Sequence, residues 1–274
     1  MLSLIRNLAS LINNRSISLK RDAFKEHDIA ASKKLHRSHN HEDHHLDNAQ
    51  YLSDFVLGGI DGIITTFAVV SGVVGAKLSA GVILILGLAN LFADGFSMAT
   101  GNYLGTKSEN DFFRSERRRE EWEVENLPEH EEAEIREIFE RKNFSGKLLD
   151  DIVAHITADK KLWVDTMMRE ELGIIEDQKS PFMVGLTTFL AFVFFGSIPL
   201  ITYVTAFISG NHDVTIVHFW QSVGSTGIAL FAVGVMRSRF TFEPWFRSGL
   251  EILFVGGAAG TVAYLVGASL SSLG

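Results

Sequence analysis

Long apolar runs alternate with charge-dense stretches along this chain. Phe55–Ala76 is apolar except for Asp61, Ala80–Tyr103 except for Asp94, and Phe182–Ile208 carries no charge. Val214–Met236 carries none either, only His218, and Ser248–Ala268 has Glu251 near one end. A bilayer core of ~30 Å takes about 20 mostly apolar residues of helix. The pattern predicts an all-α polytopic membrane protein with five transmembrane helices. It disfavours a water-soluble bundle, in which uncharged runs of this length are rare. Pro199 removes a backbone donor inside the third run and predicts a kink there. Gly58 and Gly62, Gly101 and Gly105, and Gly256 and Gly260 form small-xxx-small pairs, which let helix backbones approach closely.

Whole-chain averages conceal this partition: 274 residues, 46% hydrophobic and 21% charged. Residues 107–178 hold 21 of the 33 acids, so the net charge of −8 comes largely from one internal segment. Cysteine is absent, which excludes disulfides, thiolate nucleophiles and thiolate metal sites together. Basic residues orient the spans. Lys20, Arg21, Lys25, Lys33, Lys34 and Arg37 precede the first run, Arg117, Arg118 and Arg119 lie in the acidic segment, and Arg237, Arg239 and Arg247 follow the fourth run. The opposite loops offer Lys77 alone. The expectation is a cytoplasmic N-terminus and acidic domain, with the C-terminus across the membrane. The chain then divides into a cytoplasmic tail (1–50), helices 1 and 2 (51–106), an acidic domain (107–178) and helices 3 to 5 (179–274).

The tail holds two further patterns. "MLSLIRNLASLINNR" places Leu4, Ile5, Leu8, Leu11 and Ile12 on one helical face, as in an interfacial amphipathic helix or, alternatively, a cleaved organellar targeting segment. His36, His39, His41, His44 and His45 crowd one short stretch, which fits either loose capture of divalent metal by neutral imidazole or a flexible tail without a role.

An aspartate in mid-membrane costs roughly 2.5–3.5 kcal/mol on insertion scales, so Asp61 needs a proton, a cation or a polar partner. The second run repeats the oddity. Asn90, Asp94, Met98 and Asn102 recur every four residues and line one slowly drifting helix face. The stripe offers amide oxygens, a carboxylate and a thioether, and Thr65 and Thr66 lie a turn beyond Asp61. Hydrogen bonding between helices is the bland alternative. Two carboxylates with a methionine point instead to a cation path, oxygen-rich but softened toward Fe2+ over Mg2+ or Ca2+.

Residues 104–178 read as helices with a break near Leu127-Pro128. Glu116, Glu120 and Glu123 share one face, Glu131, Glu134 and Glu137 another, and Met167 and Glu171 stand four apart. Such runs are usually solvated faces laced with arginine. Here several carboxylates share a face with no basic residue interleaved on it, and like charges at that spacing repel. A bound divalent cation would relieve the repulsion.

From about Tyr51 to the C-terminus the chain resembles the vacuolar iron transporter family. The resemblance is carried by "SDFVLGGIDGIITTFAVVSGVVGA", by "FSMATGNYLGTKSE" and by "MMREELG". It implies five membrane helices, a homodimer with the ion path along its interface, a cytoplasmic helical metal-binding domain, and exchange of Fe2+ for protons. It also implies path roles for Asp61 and Met98. Glu120, Glu123, Glu131, Glu134, Met167 and Glu171 are the implied cytoplasmic metal ligands. The family often carries a glutamate two turns before the methionine, where this chain has Asn90, and Asp94 is the expected substitute.

The leading reading is therefore an exporter of Fe2+, with Mn2+ as a second candidate, driven by proton exchange. Divalent metal is its substrate and bound ion, with no prosthetic group. Its partners are protons, the lipid bilayer and a second copy, with no nucleic acid. A bacterial inner membrane and a vacuole-like organelle membrane both fit. A carboxylate di-iron oxidase is the enzymatic alternative, but the one Glu-x-x-His motif is Glu42–His45, in the tail. A metal-regulated membrane protein without transport is the third.

Overall fold

The computed structural model describes residues 29–30, 51–174, 179–210, 216–241 and 243–271. The amphipathic stretch at 1–15 and the histidine tract lie outside them. The described part of the chain is helical and forms two compact units, one spanning 103–181 and the other built from the remainder.

In the first unit, helix α1 runs over Leu52–Gly75 and α2 over Ala80–Asn126. After the second unit, α6 covers Pro181–Gly196, a 3-10 turn covers Ile198–Leu200, and α7 covers Ile201–Ile208. Helices α8 (Ile216–Thr241) and α9 (Trp245–Leu270) complete it. Among the described residues, five segments are long and apolar enough to cross a membrane: Leu52–Gly75, the helix Ala80–Asn126, Pro181–Ile208, Ile216–Ser238 and Trp245–Leu270. Pro199 sits in the first turn of the 3-10 segment, where its missing N–H and fixed φ interrupt the third span.

Glycine sets the packing around α1. A Cβ on Gly58 would stand 2.6 Å from the Thr188 carbonyl oxygen, and one on Gly62 would stand 2.4 Å from that of Phe192. The backbones of α1 and α6 therefore touch without a side chain between them. The same holds against α9, where a Cβ on Gly267 would meet the Gly72 carbonyl at 2.0 Å. The Gly256–Gly260 pair accepts the side chains of Leu230 and Phe67. Gly101 and Gly105 differ: nothing among the described residues lies within 4 Å of a Cβ at either, so that pair makes no close approach there.

The second unit holds the last part of α2, then α3 (Pro128–Arg141), α4 (Gly146–Thr157) and α5 (Lys160–Glu170). The second apolar run and the first acidic stretch belong to one helix of 47 residues. It stops at Asn126 because Pro128 disfavours helical backbone at Leu127, whose φ and ψ are −129° and 42°. Asp159 caps α5, its carboxylate accepting from the Lys161 and Leu162 N–H groups at 2.8 and 3.3 Å. Val124, Ile135, Ile138, Val153, Trp163, Val164, Met167 and Met168 make the core. Ion pairs lace its rim: Arg117 to Asp165 and Arg136 to Asp150, each at 2.7 Å, and Lys142 to Glu170 and Lys160 to Glu125.

The glycine contacts yield a first prediction. Gly62→Ala must push α1 off α6 and should destabilise the detergent-solubilised protein by about 1–3 kcal/mol. Gly224→Ala, where nothing lies within 4 Å, should be neutral or slightly stabilising. Melting temperatures of the two variants compare them directly.

Candidate functional site

Two groups of acids need explanation, one in each unit. In the second, Glu120 comes from α2 and is 1% exposed, and Glu131 comes from the first turn of α3 and is 5% exposed. The break at Leu127-Pro128 separates these two helices, and across it the Glu120 charge acts on Glu131. One oxygen of each carboxylate, Oε2, is buried without a hydrogen-bond partner. A buried carboxylate left in that condition is expensive.

Glu123, Glu134 and Glu171 complete the group: Glu123 and Glu134 act electrostatically on Glu120, Glu131 and Glu171 alike, and Glu171 acts on both Glu120 and Glu131. Burial, then the charges of Glu171 and Glu123, push Glu120 up to about 7, against the pull of Arg119. Burial, then Glu134, Glu120, Glu123 and Glu171, push Glu131 to about 7 as well. Glu171 is also raised, by burial first and Glu134 next. These residues lie beyond the membrane-length part of α2, whose apolar run ends at Tyr103. Met167 is fully buried. Its carbonyl accepts from the N–H groups of both Glu171 and Leu172, at 3.0 and 3.3 Å, so the end of α5 holds Met167 and Glu171 one turn apart. The acids named from the sequence thus converge. Among the described residues, though, no three His, Asp or Glu side chains already stand in a ready ligand shell.

One sequence expectation needs correcting here. A basic residue does interleave the carboxylates. Arg119 pairs through Nη2 with Glu116 Oε2 at 3.0 Å and donates from the same nitrogen to Glu120 Oε1 at 3.1 Å. Its spacing to Glu116 (i−3) and Glu123 (i+4) was the available signal, hidden inside a run of three arginines.

In the first unit, Asp61 is half-buried on α1 and Asp94 exposed on α2. The two carboxylates are close enough to repel each other. The Thr65 hydroxyl donates back to the Asp61 carbonyl at 2.8 Å, while the Thr66 hydroxyl is buried without a partner. The four-residue stripe on α2 divides. The Asn90 Nδ2 is buried and unpartnered, and Met98 packs against the core around Phe192 and Tyr203. Asn102 donates through Nδ2 to Thr188 Oγ1 at 3.0 Å, and the Thr188 hydroxyl in turn donates to the Val184 carbonyl at 3.0 Å. Asn102 therefore clips α2 to α6, the hydrogen bonding between helices that was the alternative reading of this stripe.

Comparison with known proteins agrees with this architecture. Residues 52–268 match the VIT family. The vacuolar iron transporter of Toxoplasma gondii (strain ATCC 50861 / VEG) is 38% identical, over 98% of this chain and 93% of that protein. That of Plasmodium berghei (strain Anka) is 37% identical, over 92% and 95%. Vacuolar iron transporter 1 of Oryza sativa subsp. japonica is 34% identical, over 86% and 91%. With most of its length matched, the chain belongs to the VIT family, the family of the vacuolar iron transporters.

Proposed function

We propose that this chain exports Fe2+ from the cytoplasm in exchange for protons, with Mn2+ as a second candidate substrate. The observation that carries the reading is the pair Asp61 and Asp94, two mutually repelling carboxylates on helices long and apolar enough to cross a membrane. A proton on one of them, or a divalent cation held by both, would relieve that repulsion. The two therefore compete for one pair of oxygens, which is what exchange requires. Met98 adds a thioether, favouring a softer cation. The convergent glutamates of the second unit supply a place where metal gathers on the cytoplasmic side.

Asp94 also supports a homodimer. It is exposed on a helix whose other exposed residues include Ile85, Leu86, Leu88, Phe92 and Phe96. A charge on such a face would meet lipid unless a second copy covers it. The basic loops favour a cytoplasmic N-terminus and acidic domain. The relatives' names favour iron as substrate and a vacuole-like membrane over a bacterial inner membrane.

Three outcomes follow. In proteoliposomes, a gradient acidic on the far side should drive Fe2+ out of the cytoplasmic compartment. Asp61→Asn should abolish that flux, and Asp94→Asn should abolish it or make it blind to the gradient. Wild-type rates in Asp61→Asn would remove the pair from the path, and a gradient response surviving Asp94→Asn would move the proton site elsewhere. Met98→Leu, nearly volume-conserving, should keep the fold and lose Fe2+ flux more than Mn2+ flux, which competition between the two ions measures.

The third outcome concerns pH. Glu120 and Glu131 titrate near 7 in the fold against 4.5 ordinarily. With folded values raised, the native state binds more protons between those limits, so its stability falls as pH rises from 4.5 to 7. Metal-free protein should therefore melt at lower temperature at pH 8 than at pH 5. Each carboxyl should contribute on the order of 1 kcal/mol or more. The double variant Glu120→Gln, Glu131→Gln should flatten the dependence in a melting-temperature series.

A further inference from the structure

The three consecutive arginines of α2 do three different things. Arg117 is committed to Asp165 at 2.7 Å and Glu121 at 3.3 Å. Arg118 turns back to the Arg114 carbonyl at 3.1 Å. Arg119 alone enters the glutamate group, bridging Glu116 and Glu120, and it also feels the charges of Glu123 and Glu171. Its acceptor Glu120 is 1% exposed, and the other oxygen of that carboxylate has no hydrogen-bond partner. The Arg119 side chain as a whole is 48% exposed. A cation that reaches a buried carboxylate from a half-solvated position can leave by rotating its own side chain.

Resting on the metal-gathering reading of this unit, we infer that Arg119 is a tethered counter-ion that a divalent cation must displace from Glu120 in order to bind. Glu120 Oε1 carries an Arg119 hydrogen bond, and an oxygen lone pair given to a guanidinium is weakened as a metal ligand. A guanidinium and a dication at one carboxylate also repel. Loading is therefore an exchange: the metal enters, and Arg119 swings to water, keeping its contact with Glu116 or giving it up. The glutamates are partly neutralised without metal, and the threshold concentration for loading is raised. All dications meet the same threshold. Weak binders such as Mg2+ are kept off at concentrations where a better-matched ion still loads. For Glu131 the largest charges acting on it, among the described residues, are those of other carboxylates.

The test is anaerobic titration of the full-length protein in detergent with Fe2+, repeated with Mg2+ as competitor. It is run on the wild type, Arg119→Gln, Arg119→Lys and the double variant Glu120→Gln, Glu131→Gln. Arg119→Gln should bind Fe2+ about tenfold tighter, with Mg2+ competing at correspondingly lower concentration. Arg119→Lys, which keeps the charge, should stay near the wild type. Melting should split by state: Arg119→Gln melts lower than the wild type without iron and equally with saturating iron, because the arginine's contact exists only in the metal-free protein. Unchanged or weaker Fe2+ binding in Arg119→Gln, or a melting loss that persists with iron, overturns the counter-ion role. If the wild type and the double glutamine variant give the same isotherm, the metal-gathering reading itself fails and takes the inference with it. If the double variant loses Fe2+ while Arg119→Gln leaves affinity unchanged, only the inference fails.

Discussion

The cost of holding a carboxylate away from bulk water governs both units of this protein. Asp61 and Asp94 sit on lipid-length helices, and Glu120 and Glu131 sit in the core of a small helical unit. In each case the nearest charges include another carboxylate. For Glu120 and Glu131, burial and like-charge repulsion act in the same direction, so that group does not compensate itself. A structure that keeps such groups must spend packing energy elsewhere to hold them. That energy is visible in the helix contacts around them.

Around Asp61 it takes the form of backbone contact. Gly62 follows the aspartate directly, and it touches the Phe192 carbonyl with no room for a Cβ. The position of Asp61 is thus set by the seating of α1 on α6, not by hydrogen bonds of its own carboxylate. On α2, the Asn102–Thr188 bond clips the same helix α6. The two helices that carry the aspartates are therefore both referred to α6. In the second unit the ion pairs Arg117–Asp165 and Lys160–Glu125 tie α2 to α5. They lie on the rim, where each is worth little alone. Their use is to hold the end of α5, with Met167 and Glu171, beside the helix that carries Glu120.

The spans were legible because transfer from water depends on composition, which a sequence displays directly. The break at Leu127-Pro128 was legible because proline acts locally. The continuity of α2 was not: a change from apolar to charged residues alters the solvent a helix prefers without ending the helix. Gly101 and Gly105 show a second limit. Their spacing matches that of Gly58 and Gly62, but spacing does not encode which surface lies opposite. Convergence of Glu120, Glu123, Glu131, Glu134 and Glu171 came through the resemblance more than through periodicity, since they lie on three helices. Arg119 escaped notice because three adjacent arginines look alike in sequence. They differ only in side-chain direction, one to α5, one to its own helix backbone and one to the acids.

The two acidic groups meet the same problem under different solvent conditions, and that difference accounts for where an arginine is used. Arg119 is half-exposed, so water can receive its guanidinium when a metal takes its place. A guanidinium set against Asp61 or Asp94 would have no water to retreat into, and its pairing would persist in the low dielectric of the membrane. Such a pair would be a structural ion pair, closed to any other cation. Carboxylates that must accept and release an ion inside a membrane therefore need a countercharge that can leave entirely. A proton meets that condition and a tethered side chain does not. The charge acting on Asp61 is accordingly another carboxylate, whereas Glu120 keeps an arginine.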